Sequence, residues 1–133
     1  MATVLIADQN ADFFYAASRF ISALPGYVVV NQFVGPTSLI ATYQKHNPDI
    51  ILMDFAFCSS LSKLDLVGQL KQMSNAPRII LVTPVNDPAY SEHGFRMGAD
   101  GCVVRDVLDV TLPELMNKLC KQVIPKLPEY MSA

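Results

Sequence analysis

Ile50-Ile51-Leu52-Met53-Asp54 sets four consecutive apolar side chains against one carboxylate. An uninterrupted run of β-favouring residues reads as a strand buried on both faces, the kind found in parallel sheets, because a half-solvated strand would alternate apolar and polar positions. A carboxylate directly after such a strand lies at its carboxyl end, where open α/β sheets place their chemistry. Three more runs end in the same way: Thr3-Val4-Leu5-Ile6-Ala7 in Asp8, Arg78-Ile79-Ile80-Leu81-Val82 in Thr83, and Gly101-Cys102-Val103-Val104 in Arg105. Two acids, a hydroxyl and a cation are therefore expected to converge at one edge of one sheet.

Between these strands the period becomes helical. Phe13, Phe14, Ala17, Phe20, Ile21 and Leu24 recur at helical spacing behind a candidate N-cap, Asn10, and Pro25-Gly26 stops that helix. The β-branched run Tyr27-Val28-Val29-Val30 predicts a further strand. Gly35-Pro36 opens a second helix through about Lys45, with Leu39, Ile40 and Tyr43 inward, and Asn47-Pro48 breaks it. After Asp54 the sequence predicts a loop and a third helix, with Leu64, Val67, Leu70 and Met73 facing in, up to Asn75-Ala76-Pro77. Asn86-Asp87-Pro88 offers a cap and an early-turn proline for a fourth helix that runs to about Met97 and ends at Gly98. Thr111 with Glu114 makes a capping box for the last helix, whose Leu112, Leu115, Met116, Leu119 and Val123 form an apolar stripe; Pro125 ends it and Pro128 keeps the tail irregular. Five β–α units joined by right-handed crossovers make a doubly wound parallel sheet.

The 133 residues make one domain by size. A composition 51% hydrophobic and 17% charged excludes a disordered chain. The apolar runs are too short to span a membrane, and no basic segment followed by a long apolar one opens the chain, so a soluble cytoplasmic protein without a membrane partner is expected. A net charge of −2 without a Lys/Arg stripe argues against direct nucleic-acid binding. Cys58, Cys102 and Cys120 lie too far apart for a metal or redox motif and read as reduced, packed thiols. With His46 and His93 isolated as well, zinc is disfavoured.

The ordered set Val4-Leu5-Ile6-Ala7-Asp8, Pro48-Asp49-Ile50-Ile51-Leu52-Met53-Asp54, Ile79-Ile80-Leu81-Val82-Thr83 and Gly98-Ala99-Asp100-Gly101 resembles the receiver domain of two-component response regulators, from about Thr3 to about Val123. The resemblance implies a flavodoxin-like (βα)5 fold with strand order 2-1-3-4-5, residues 1–124 forming the receiver domain and 125–133 a C-terminal tail. It implies a phosphorelay signalling module rather than an enzyme, one that accepts a phosphoryl group on Asp54 from a histidine kinase or phosphotransfer protein. A carboxylate is a competent nucleophile toward a phosphohistidine, and the acyl phosphate it forms stays labile. Charge on the transferring group must be neutralised. For that, the resemblance assigns Mg²⁺ to Asp8, Asp54, the backbone carbonyl of Ala56 and, weakly, Gln9. It assigns the phosphoryl-bonding hydroxyl to Thr83 and the pairing cation to Arg105. Phosphorylation would bias a two-state surface of the fourth helix, fifth strand and fifth helix toward a downstream effector or a fused output domain, with a homodimer formed through the last two helices.

Four positions depart from the family pattern. Gln9 replaces the second acid after the first strand, and Mg²⁺ prefers charged oxygen ligands over an amide. Arg105 replaces a lysine, keeping the charge but changing reach and geometry. Asp106 replaces a proline and brings a negative charge near the phosphate. Cys102 replaces an aromatic switch residue. The resulting reading is an atypical receiver with impaired Mg²⁺-dependent phosphorylation of Asp54. The alternative is a phosphorylation-independent pseudo-receiver, a protein-interaction module in which Arg105 makes a static ion pair with Asp54 or Asp8. Plainer structural roles stand beside these. Asp54 turns a loop, Asp8 bonds amides at the start of the first helix, and Thr83 is an ordinary strand-end residue. Phe13 and Phe14 are core or helix surface, and Phe55 and Phe57 pack beside the site. An enzyme on the same fold is disfavoured, because Asp8-Gln9-Asn10-Ala11-Asp12 lacks the Ser/Thr-rich phosphate loop of flavodoxins.

Overall fold

The computed structural model of the protein describes residues 1–58 and 65–123. Strands β1 (Ala2–Ala7), β2 (Tyr27–Val29), β3 (Ile50–Asp54), β4 (Arg78–Thr83) and β5 (Gly101–Val104) alternate with helices α1 (Ala11–Ser22), α2 (Leu39–His46), α3 (Leu66–Lys71), α4 (Pro88–Met97) and α5 (Leu108–Val123). Every strand pair is parallel and the order is β2-β1-β3-β4-β5, as the resemblance implies. No helix among the described residues is long and apolar enough to cross a membrane.

The central strands lack polar alternation because both faces of the sheet are covered. Val4, Ile6, Ile50, Leu52, Ile80 and Val82 pack on one side with Phe14, Ala17 and Ile21 of α1 and Leu112, Met116 and Leu119 of α5. Leu5, Ala7, Ile51, Met53, Ile79 and Leu81 face the other way, onto Leu39 and Tyr43 of α2 and Val67 and Leu70 of α3. On that side α4 seats close to β4 and β5. A Cβ at Gly94 would stand 2.6 Å from Leu81 Cδ1 and 3.2 Å from Cys102 Sγ, so any larger residue would have to displace the Leu81 side chain.

The helix ends follow the side-chain signals. Asn10 Oδ1 accepts the Phe13 N–H and starts α1, and Asp87 accepts the Ala89 N–H and starts α4. Gly98, at φ 110°, closes α4 in the left-handed region. Several expected bounds shift, with α1 ending at Ser22, short of Leu24, and α3 at Lys71, short of Met73. A turn through residues 36–38 delays α2 to Leu39. The loop expected after Asp54 begins as a 3₁₀ turn, Phe55–Cys58. The capping box does not open α5, which begins at Leu108 after a second 3₁₀ turn, Arg105–Val107. Thr111 lies inside that helix, its hydroxyl donating to the Val107 carbonyl at 3.0 Å. The apolar stripe explains the earlier start, because Leu108 is buried one turn before Leu112 and extends the same face. Leu64, the Val123 side chain, Pro125, Pro128 and the 125–133 tail lie outside the described residues.

Candidate functional site

Parallel pairing sets β1 beside β3, with Ala7 opposite Met53, so the carboxylates that follow them become neighbours. Asp8 is held in one orientation: its Oδ1 accepts the Asn10 N–H at 2.8 Å, and its side chain is only 2% exposed. Asp54 Oδ1 accepts the Ala56 N–H at 3.3 Å. Arg105 leaves β5, two strands from β3, and reaches back across the sheet edge. Its Nη2 stands 3.2 Å from Asp8 Oδ2 and 3.3 Å from Asp54 Oδ1, bridging both acids. Its Cζ lies 4.0 Å from the centroid of the Phe13 ring, a cation–π contact.

Two carboxylates therefore share one guanidinium. Burial and the charge of Asp8 push the Asp54 carboxyl above the ordinary carboxylate range, and the Ala56 N–H and Arg105 oppose that only in part. A carboxylate at this sheet edge with one charged partner and a like-charged neighbour is the arrangement expected of a reactive group. An open cavity of about 690 Å³ gives access to it. Its walls are Asp8, Gln9 and Asn10 after β1, Asp54, Phe55 and Ala56 after β3, Pro84 after β4, and Arg105 after β5.

Of the residues the sequence nominated, Asp8, Asp54 and Arg105 meet, with Ala56 and Gln9 on the cavity wall. Gln9 is exposed and sets its amide nitrogen over Gly35, 3.7 Å from where a Cβ there would stand. Thr83 ends β4 at the same edge but is buried, and its hydroxyl lies 3.3 Å from the Val103 carbonyl and 3.4 Å from that of Val85. Pro84, not Thr83, lines the cavity in this conformation. Asp106 borders a neighbouring depression of about 520 Å³ with Val85, Cys102, Val107 and Thr111. Among the described residues no three Asp, Glu, His or Cys side chains gather as a metal cluster would require.

The aromatics divide sharply. Phe57 is core, whereas Phe55 forms a cavity wall and packs edge-on against Tyr90 of α4 at 4.9 Å, with His93 at 5.7 Å. The contact of Phe13 with Arg105 escaped sequence reasoning, since a phenylalanine in a first turn looks the same whether it packs on the core or beneath a guanidinium. All three cysteines are free and partly buried. Burial pushes the Cys58 and Cys102 thiols up to about 12 and about 11, so both stay protonated and poorly nucleophilic near neutrality.

A family model for the response regulator receiver domain matches residues 4–118. Transcriptional regulatory protein YdfI of Bacillus subtilis (strain 168) is 26% identical over 117 residues, covering 88% of this chain and 54% of that protein. The chain thus spans about half the length of that curated relative. The isolated REC domain of RcsB from Salmonella enterica serovar Typhimurium, in its apo form, superposes with a TM-score of 0.80 at 21% identity, over 92% of this chain and 90% of that one. A LuxR-family two-component response regulator from Aurantimonas sp. SI85-9A1 does so at 0.74 and 21% identity, over 90% and 84%. These two structural likenesses establish the fold, and the family match covers the Asp8–Asp54–Arg105 constellation from end to end: the chain belongs to the response regulator receiver domain family.

Proposed function

We propose that residues 1–124 act as an atypical receiver in which Asp54 is the phospho-acceptor and transfer to it is restrained. The observation that carries this reading is the Arg105 bridge, with Nη2 at 3.2 Å and 3.3 Å from the two carboxylates. In the transfer, an Asp54 carboxylate oxygen attacks the phosphorus of a donor phosphohistidine. The P–N bond breaks, and its electron pair returns to the imidazole nitrogen, which takes up a proton. Arg105 is placed to pair with the incoming phosphoryl oxygens once it releases Asp54. Thr83 would reach them only by turning its hydroxyl from the Val103 carbonyl.

Receivers typically bind Mg²⁺ at this site. The donors present here do not fit that ion while Arg105 lies between Asp8 and Asp54. A neutral amide, that of Gln9 on the cavity wall, stands in place of a further carboxylate. Restraint follows, because the bridge must open before Asp54 is free to attack. The same bridge favours a second reading, a phosphorylation-independent pseudo-receiver, since the guanidinium already supplies the positive charge opposite Asp54. Output passes to an effector protein or fused domain of transcriptional type, a reading supported by the likeness to YdfI, a transcriptional regulatory protein of which this chain covers 54%.

Intact-mass analysis after incubation with acetyl phosphate, with and without Mg²⁺, tests the assignment. The expected result is a slow, partial gain of one phosphoryl group that is absent in Asp54→Asn. A gain retained in Asp54→Asn moves the acceptor elsewhere. No gain at high magnesium, or with phosphohistidine donors, establishes the pseudo-receiver.

A further inference from the structure

We infer that Arg105 is a resident cation in the seat a divalent ion would take between Asp8 and Asp54, and that Phe13 is the positioning residue that keeps it there. The inference rests on the receiver reading of the site and concerns how its charge is held at rest. Three observations converge. One guanidinium nitrogen contacts an oxygen of each carboxylate, at 3.2 Å and 3.3 Å, so a metal bridging these oxygens would compete with it directly. The guanidinium plane has a second support, the Phe13 ring, 4.0 Å from Cζ to centroid. That ring is itself anchored to the site. Asp8 Oδ1 takes the Asn10 N–H at 2.8 Å, and Asn10 Oδ1 takes the Phe13 N–H at 3.1 Å. Asp8, Asn10, Phe13 and Arg105 thus close a circuit in which the cap of α1 fixes both the acid and the aromatic face that clasp one cation.

The physical consequence is competition. A guanidinium is weakly hydrated, spreads its charge, and stacks on aromatic faces, so it holds a two-carboxylate seat without the further anionic ligand that Gln9 fails to supply. Removing the charge should open the seat to a divalent ion. Removing only the aromatic support should loosen it by the worth of a partly exposed cation–π contact, roughly two- to five-fold in affinity.

The test is Mn²⁺ binding at fixed pH and ionic strength, followed by electron paramagnetic resonance or calorimetry on the wild type, Arg105→Gln, Phe13→Leu and Phe13→Tyr, with circular dichroism to verify folding. Mn²⁺ should bind most tightly to Arg105→Gln, with Phe13→Leu intermediate, the latter about two- to five-fold above wild type. Phe13→Tyr, which restores an aromatic face, should match wild type; a merely structural role for Phe13 would not give this pattern. Adding Asp8→Asn to Arg105→Gln should abolish the gain. The inference is overturned if Arg105→Gln binds Mn²⁺ no better than wild type, or if Phe13→Tyr behaves as Phe13→Leu does. Because no phosphoryl donor is present, the outcome is independent of the acceptor assignment. Tight Mn²⁺ binding by Arg105→Gln, with no phosphate gained by the wild type, upholds this inference and sinks the phospho-receiver, and the converse pair of results does the reverse.

Discussion

The two edges of the sheet use the same residue types to opposite effect. At the amino edge, Asp100 receives Lys71 Nζ at 2.8 Å, the Ile79 N–H at 2.8 Å and Arg78 Nη1 at 3.5 Å. Lys71 also donates to the Pro77 carbonyl, and Asp49 takes both the Thr3 N–H at 2.8 Å and the Thr3 hydroxyl at 3.2 Å. Donors outnumber carboxylates there, and Asp100 has two cations to itself. At the carboxyl edge two carboxylates share one guanidinium; Asp8 also takes the Asn10 N–H, but Asp54 has only a single long N–H bond besides. An acid surrounded by donors clamps chain segments together. An acid short of them, beside a like charge and open to a cavity, keeps electron pairs available for chemistry.

That contrast predicts a ranking of stability effects. The largest belongs to Asp100→Ala, which strands Lys71, Arg78 and the Ile79 N–H in partly buried positions. Discounted for the 26–29% exposure of the two cations, the loss should be about 2 kcal/mol in urea denaturation. Acetyl phosphate and Mn²⁺ behaviour should be unchanged by it. Asp49→Ala removes the ties to Thr3, which are exposed, and should cost about 1 kcal/mol or less. If Asp100→Ala proved harmless, or altered the chemistry at the far edge, the separation of clamp from site would fail.

The sequence disclosed the amino edge poorly and the carboxyl edge well, for a physical reason. Strand-end residues are addressed by the strand itself. Once β1, β3 and β5 are recognised by their apolar runs, Asp8, Asp54 and Arg105 have to emerge at one edge. Asp100 meets Lys71 and Arg78 only through packing among α3, β4 and β5, which no local pattern encodes. The same limit hid Phe13, whose partner lies 92 positions away across three strands. The start of α5 differs from the expected one because Thr111 and Glu114 imitate a helix opening. Burial of Leu108 extended the helix upstream against that local signal. Thr83 was correctly set at the strand end, but a rotatable hydroxyl leaves no trace of its direction in sequence, and here it turns onto backbone carbonyls.

The smallest predicted effect has the opposite sign from the first two. The Asp54 carboxyl titrates above its ordinary value in the folded state because burial and Asp8 outweigh Arg105 and the Ala56 N–H. A group with a raised folded-state pKa binds more protons folded than unfolded between the two values, so its contribution to stability falls as pH rises through that window. At neutral pH Asp54 therefore costs stability. Asp54→Asn keeps the shape and an acceptor oxygen while removing the charge, and should melt slightly higher than wild type at pH 7. That advantage should shrink as pH falls through the window and vanish below about pH 4, where the unfolded carboxyl is also protonated. Parallel thermal melts of the two chains across this range isolate the effect of this site, since titrating groups remote from it cancel in the difference. If Asp54→Asn instead melts lower at pH 7, attraction from Arg105 outweighs burial and the repulsion of Asp8. The carboxyl edge would then be a clamp of the same kind as the amino edge, and the argument for stored reactivity at Asp54 would fall with it.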